Sequence, residues 1–290
     1  MSDKLILGTA QMGMNYGINN PIGKISLSES FKILQSAYAN GVSILDTAEA
    51  YGDSHQVIGQ FHKEHPELKF KIITKISLNS EADDVEIIVL RALTELNVNK
   101  LEALMFHSYA SYQYCKKSLD KADLLKKNNY FKYLGVSVYS NEEFRSVIYD
   151  EKIDLIQVPF NLLDNYNLRG ELLELAKKEG KIVHSRSTFL QGLFFKDPNE
   201  ANPIIVNLKG KLSVILQMAK KNKISISDLA LGCCMSQNTI NNVIIGIDSL
   251  DHFNNNLSSA RYLLSNNLLK EINNILVPDR DLLNPSLWKV

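Results

Sequence analysis

Short apolar runs recur along the chain at Lys4 to Leu7, Val42 to Leu45, Lys71 to Thr74, Leu101 to Phe106, Tyr133 to Val138, Leu155 to Val158, Ile182 to His184 and Val243 to Ile245. Stretches of this length, rich in β-branched residues and bounded by turn residues, read as buried strands. Between them the apolar positions change to helical spacing, over Val85 to Leu96, Ser118 to Lys127, Ser140 to Tyr149 and Leu172 to Lys178, with Gly180 closing the last. Ser26 and Glu29 form a capping box ahead of Phe31, Leu34 and Tyr38, and Gly41 stops that helix before the next strand. Ser140 with Glu143 and Ser225 with Asp228 repeat the capping signal. Eight strands alternating with helices predict an α/β fold, a (β/α)8 TIM barrel, as a single domain over residues 1–290. Active-site loops are expected around 109–116 and 186–211, with a C-terminal tail around 278–290. Within the second loop, Phe194 to Lys211 carries Pro198, Pro203 and several Asn residues and reads as irregular; long loops on a barrel mouth tend to be lids or ligand contacts.

Composition narrows the partners. The chain has 290 residues, 45% of them hydrophobic, enough to bury the core of one barrel. Its 32 basic and 32 acidic residues cancel, so no overall field favours nucleic acid or an anionic membrane surface, and a small molecule is the expected partner. None of the three cysteines (Cys115, Cys233, Cys234) forms a C-x-x-C pair, which argues against a disulfide framework or a zinc motif. With no secretory or membrane-spanning run, a reducing, cytoplasmic location is expected.

Asp46, Tyr51, Lys75 and His107 stand at or just beyond the ends of successive apolar runs. Barrel chemistry sits at the C-terminal ends of the strands, so these proton-handling side chains are expected to converge on one mouth. Taken singly, Asp46 and Lys75 read equally as a structural ion pair, Tyr51 as packing and His107 as a satisfied core histidine; the joint placement is what points to catalysis. The cluster His55, His62 and His65, next to Lys63 and Glu64, fits a solvated helix end better than a metal site, and no metal is expected. Adjacent Cys233 and Cys234 read as small buried hydrophobes. Met12, Met14, Tyr16, Tyr109, Tyr112 and Tyr114 are candidate pocket walls.

The segment Asp46-Thr47-Ala48-Glu49-Ala50-Tyr51-Gly52 resembles the D-T-A-x-x-Y-G signature of the aldo-keto reductase superfamily. Leu7-Gly8-Thr9, Thr74-Lys75, Met105-Phe106-His107, Lys132 to Ser137 and Gln157 to Asn161 resemble that family's further strand ends in order, and the likeness runs from Lys4 to about Asn256. It implies a nicotinamide-dependent oxidoreductase that reduces an aldehyde or ketone, or runs the reverse, without a metal. Tyr51 would be the general acid and base, Lys75 would lower its pKa, Asp46 would hold the lysine, and His107 would orient the carbonyl. The cofactor would lie along Gly8, Thr9, Asp46, Ser137, Gln157, Arg186, Ser187, Phe189, Gly192, Gly246, Asp248, Ser249, His252 and Asn256.

Several positions depart from the family pattern. Val138 stands where an Asn usually follows the serine, and Arg186 stands where a tyrosine usually stacks on the nicotinamide. A guanidinium can stack as well, though less favourably on the positively charged oxidised ring, which would favour reduction. Asp248 is acidic where a basic residue often meets the 2'-phosphate of NADP. NADP(H) is expected, with NAD(H) as the alternative. His55 replaces a glutamate in the loop after Tyr51. The sequence opens directly on its first barrel strand, which leaves the barrel floor to be covered by another element, here expected to be Trp288 and the tail. Two other readings stay open: a Schiff-base aldolase acting through Lys75, and a nicotinamide-binding regulatory barrel with little turnover.

Overall fold

The structure, a computed structural model, describes residues 2–77, 84–114 and 116–288; Cys115 lies outside them. Eight parallel strands close into a barrel: β1 (Leu5–Gly8), β2 (Ile44–Asp46), β3 (Lys71–Ile76), β4 (Leu101–Phe106), β5 (Phe131–Ser137), β6 (Leu155–Pro159), β7 (Ile182–Arg186) and β8 (Asn242–Gly246). Each strand pairs with its sequence neighbour, and β8 returns to β1 through pairs such as Leu7 with Ile245 and Gly8 with Gly246. The helices are α1 (Ala10–Gly13), α2 (Leu27–Ala39), α3 (Ser54–Glu64), α4 (Val85–Leu96), α5 (Tyr109–Tyr114), α6 (Lys116–Lys127), α7 (Asn141–Ile148), α8 (Tyr166–Lys178), α9 (Pro203–Asn222), α10 (Ile226–Met235), α11 (Leu250–Ser259) and α12 (Asn266–Asn273).

The pleat divides every strand into two columns. Leu5, Leu7, Ile72, Leu104, Val183 and Val243 face the helices in the large outer core. Ile6, Ile73, Ala103, Met105, Leu155 and Ile244 form a separate cluster that fills the barrel, with Ile44, Tyr133 and Ile182 against it. Two or four residues further along these inner columns stand Gly8, Asp46, Lys75, His107, Ser137, Gln157, Arg186 and Gly246. All of them line one cavity. The site is therefore the upper continuation of the barrel's own interior.

The capping signals are met in part. Ser140 with Glu143 and Ser225 with Asp228 form complete boxes. Ser26 Oγ accepts from the Glu29 N–H at 3.2 Å, but the Glu29 carboxylate accepts from Leu250 N–H at 3.0 Å and so ties α2 to α11 instead. Helix α8 begins at Tyr166, ahead of the Leu172 read from spacing, because Asn165 caps it while its amide donates to the carbonyls of Ile272 and Ile275.

Four expectations are corrected. The Phe194 to Lys211 stretch is irregular only in its first half: Asn202 caps α9 and Pro203 fills its first turn, where a missing N–H costs nothing. The tyrosines of α5 do not wall the pocket. Tyr112 donates to Asp150 at 2.6 Å, and the Tyr109 hydroxyl accepts from Ser146 at 2.8 Å, so both bind residues of α7 or just after it. Trp288 and the tail do not close the floor. Pro285 and Ser286 line the cavity at the opposite end, while Lys4, just before β1, donates to the carbonyls of Met235 and Gln237 at the base. Finally, His55 and His62 are buried rather than solvated. His55 bonds Glu95 and Thr74, and His62 bonds the Leu96 carbonyl while accepting from Phe70 N–H. They fasten α3 to β3 and to the end of α4, and no cluster of potential metal ligands occurs among the described residues.

Candidate active site

The loop after β2 carries Tyr51, and a glycine fixes its position. A Cβ on Gly13 would lie 1.7 Å from the Tyr51 carbonyl oxygen, so α1 can pack there only without a side chain. Gly52, at φ +54, turns the chain immediately afterwards.

Asp46 ends β2 and Lys75 lies one residue inside the end of β3, neighbours in the closed sheet. Their side chains are 5% and 2% exposed, and the ammonium and carboxylate are in direct contact. Lys75 also donates to the Thr47 carbonyl at 3.1 Å, and the Gln157 amide donates to the second Asp46 oxygen at 2.5 Å. Both charges are thus enclosed and compensated. Burial lowers the lysine pKa, and Asp46 opposes that shift.

Tyr51 packs edge-on against His107, with centroids 5.6 Å apart at 81°, and the Lys75 Nζ lies 5.3 Å from the phenol centroid. Here the electrostatic expectation is corrected. The phenol pKa is raised well above its ordinary value, first by burial and then by the Asp46 charge, against an opposing pull from Arg186. Lys75 lies beside the ring, but its hydrogen bonds go to Asp46 and Thr47, and in the resting site burial and the Asp46 charge prevail. Tyr51 therefore holds its proton throughout the neutral range. His107 is pushed the other way, to about 4, by burial and then by the positive charges of Lys75 and Arg186. It is neutral at neutral pH.

Arg186 ends β7 with its guanidinium carbon 4.0 Å from the centroid of Tyr139. It donates to Ser137 Oγ at 3.2 Å, Ser187 Oγ at 3.3 Å and the Val138 carbonyl at 3.0 Å. The Val138 side chain is buried in the outer core and supplies nothing to the cavity. Beyond β8, Asp248 and His252 are in contact with each other on the cavity wall.

The cavity measures about 650 Å³, within the range of small-molecule and cofactor sites. Every site residue read from the sequence lines it except Ser249, which instead caps α11 by accepting from His252 N–H at 3.2 Å. Of the other pocket candidates, Tyr16 lines it. Met12 is wholly buried in the core, and Met14 does not reach the cavity. Gln11, Asn19, Asn20 and Tyr139 are wall residues that the sequence reading missed, while Gln191 lines the cavity from within the loop expected around 186–211. Tyr139 alone had a usable signal, since it continues the alternation two positions beyond Ser137.

A further histidine sits below the site. His184 is 4% exposed on the inner column of β7, and among the described residues its Nδ1 has no partner. Burial and then the Lys75 charge push its pKa to about 3. In the unfolded chain both His107 and His184 titrate near 6.5, so below that pH the unfolded state takes up protons that the folded state refuses. Stability is complete above 6.5 and is lost as pH falls toward about 4 and then about 3. The full loss is on the order of 3 kcal/mol for His107 and on the order of 5 kcal/mol for His184. The thermal midpoint should fall steadily from pH 6.5 to 4, and His107→Asn should flatten that slope. A midpoint constant over the interval would refute the assignment.

A closed parallel barrel with an Asp, Tyr, Lys and His at its mouth defines a class of enzymes, and sequence comparison agrees. Residues 4–277 match the Aldo/keto reductase family, and the chain belongs to that family. It is thus an oxidoreductase. Among curated relatives, it is 24% identical over 286 residues to aldo-keto reductase str7 of Strobilurus tenacellus, covering 89% of this chain and 83% of that protein. It is 22% identical over 289 residues to L-galactose dehydrogenase of Arabidopsis thaliana, covering 93% and 91%. Among solved structures, the holo form of aldo-keto reductase AKR11C1 from Bacillus halodurans superposes with TM-score 0.77 at 17% identity, over 96% of this chain and 94% of that one. An aldo/keto reductase from Klebsiella pneumoniae, in complex with NADP and acetate, gives 0.68 at 18% identity, over 93% and 90%. No helix among the described residues is long and apolar enough to cross a membrane.

Proposed function

We propose that the protein reduces an aldehyde or ketone to the alcohol with a reduced nicotinamide nucleotide, Tyr51 supplying the proton. The observation that carries this reading is a half-buried phenol on the cavity wall, edge-on to His107, with the enclosed Lys75–Asp46 ion pair beside its ring.

The residues present fit a nicotinamide cofactor. The buried Gln157 Oε1 on the cavity wall accepts from no described residue, and an amide N–H₂ placed there would satisfy it. Ser137 and Gln157 would hold the carboxamide, Gly246 and Asn256 the far end. When bound, the reduced cofactor supplies a hydride to the carbonyl carbon.

Charge then grows on the carbonyl oxygen. The Tyr51 O–H transfers its proton to that oxygen and the neutral His107 steadies it with an N–H, both preset by packing rather than by solvent. The Lys75 charge beside the ring stabilises the phenolate that remains. With the phenol protonated in the resting site, the proton needed for reduction is already in place. The enclosure of Lys75 Nζ by Asp46 and Thr47 weighs against an aldolase, which needs a free amine.

Titration with NADPH and NADH, followed by a panel of carbonyl compounds, tests the proposal; failure to bind either nucleotide would remove it. NADP(H) is the expected cofactor, supported by the Klebsiella pneumoniae structure in complex with NADP, and NAD(H) is the alternative that the acidic Asp248 on the cavity wall favours. Asp248→Arg should shift the NADPH to NADH affinity ratio toward NADPH about tenfold, the effect of one added charge-assisted contact of some 1.4 kcal/mol. An unchanged ratio would take Asp248 out of cofactor selection.

A further inference from the structure

Deepest in the cavity, the Lys75 ammonium and the Asp46 carboxylate answer each other, and the Asp248 carboxylate further out contacts the His252 ring. Arg186 is the remaining cation on the wall, and no carboxylate among the described residues forms an ion pair with it. Asp164, whose charge also reaches it, is held by Arg169 at 2.6 and 2.7 Å.

The guanidinium is also fixed in place. Its bonds to Ser137, Ser187 and the Val138 carbonyl, with Tyr139 against one face, leave two of its five N–H donors directed at no protein acceptor. A cation partly withdrawn from water, held rigidly and left with unused donors, is poised for an anion. A guanidinium presenting two N–H groups matches the paired oxygens of a carboxylate. Arg186 shares the cavity with Tyr51 and His107, and its charge is felt at both.

Resting on the reductase reading above, we infer that the substrate is a carbonyl compound bearing a carboxylate, and that Arg186 binds this carboxylate while the carbonyl oxygen lies between Tyr51 and His107. The neighbouring wall suits a hydroxylated body: Tyr16, Asn19, Asn20 and Gln191 offer hydroxyl and amide groups. Aldehyde-bearing sugar acids and semialdehyde acids combine these features.

Matched pairs test the inference: D-glucuronate against D-glucose, and succinate semialdehyde against butanal, with D-glucose 6-phosphate as a phosphate control. The wild-type protein should prefer the carboxylate member of each pair in kcat/KM by about 10- to 100-fold, the usual worth of a hydrogen bond to a charged group. In Arg186→Gln this ratio should collapse, whatever change in turnover is common to both members. Arg186→Lys should retain part of it, because the charge survives without the fork. Calorimetric titration of D-glucuronate, with and without nucleotide, gives a readout independent of turnover: binding should be seen in the wild type and lost in Arg186→Gln.

Equal ratios in wild type and variant, preference for the phosphate, or loss of nucleotide affinity alone in Arg186→Gln would each overturn the carboxylate assignment. Absence of nucleotide binding and of all turnover in the wild type would instead bring down the reductase reading beneath it.

Discussion

Replacing Tyr51 by phenylalanine should lower kcat for carbonyl reduction by about 10²- to 10⁴-fold, the range of a lost general acid, while nucleotide binding persists. The substitution is conservative where packing is concerned. Phenylalanine keeps the edge-on contact with His107 and the position beneath Gly13, so only the hydroxyl is lost. The phenol's raised pKa adds a second expectation, that reduction keeps its rate through mildly alkaline pH because the proton donor stays loaded. A phenylalanine variant as active as the parent would transfer the donor role elsewhere.

The second large effect concerns the ion pair below it. Lys75→Met should leave the buried Asp46 carboxylate without its counter-charge, with the Gln157 amide as its main support. Breaking one side of a buried pair costs about 3 to 5 kcal/mol, whereas removing both partners is nearly neutral. The single variant should therefore melt about 6 to 10 °C lower. The double variant Lys75→Met with Asp46→Asn should regain most of that stability but none of the turnover, because the positive charge beside the phenolate is gone. Calorimetry and steady-state kinetics on the set separate the two roles. If the double variant is no more stable than the single one, the pair is not the compensated unit that its geometry describes.

Much of this architecture was legible in the residues. The strands were read within a few residues because buried parallel strands are short apolar runs, and the placement of Asp46, Lys75 and His107 at their ends follows from the fold. What escaped depends on contacts distant in sequence. The polarity of His55 and His62 suggested solvent, yet partners on β3 and α4 satisfy their rings inside the structure. The tyrosines after His107 looked like pocket wall because they follow a residue at a strand end, where barrel sites lie. A helical turn takes them to the neighbouring helix instead. The tail's position had no local cue, since Pro285 and Ser286 reach the mouth through tertiary packing alone. The acidity of the phenol was misjudged because the sequence showed the neighbouring ammonium but neither the burial of the ring nor the reach of the Asp46 charge, which together outweigh it.

The alternation that fills the barrel below and equips its rim above sets the terms on which such an enzyme can diverge. An odd insertion within a strand would turn Asp46 toward the helices and bring Leu45 to the rim, losing the chemistry and exposing an apolar side chain in one event. The loops that follow the strands carry no such parity. The segments from which Tyr16, Asn19 and Gln191 line the cavity can therefore vary in length and kind without turning a single strand column over.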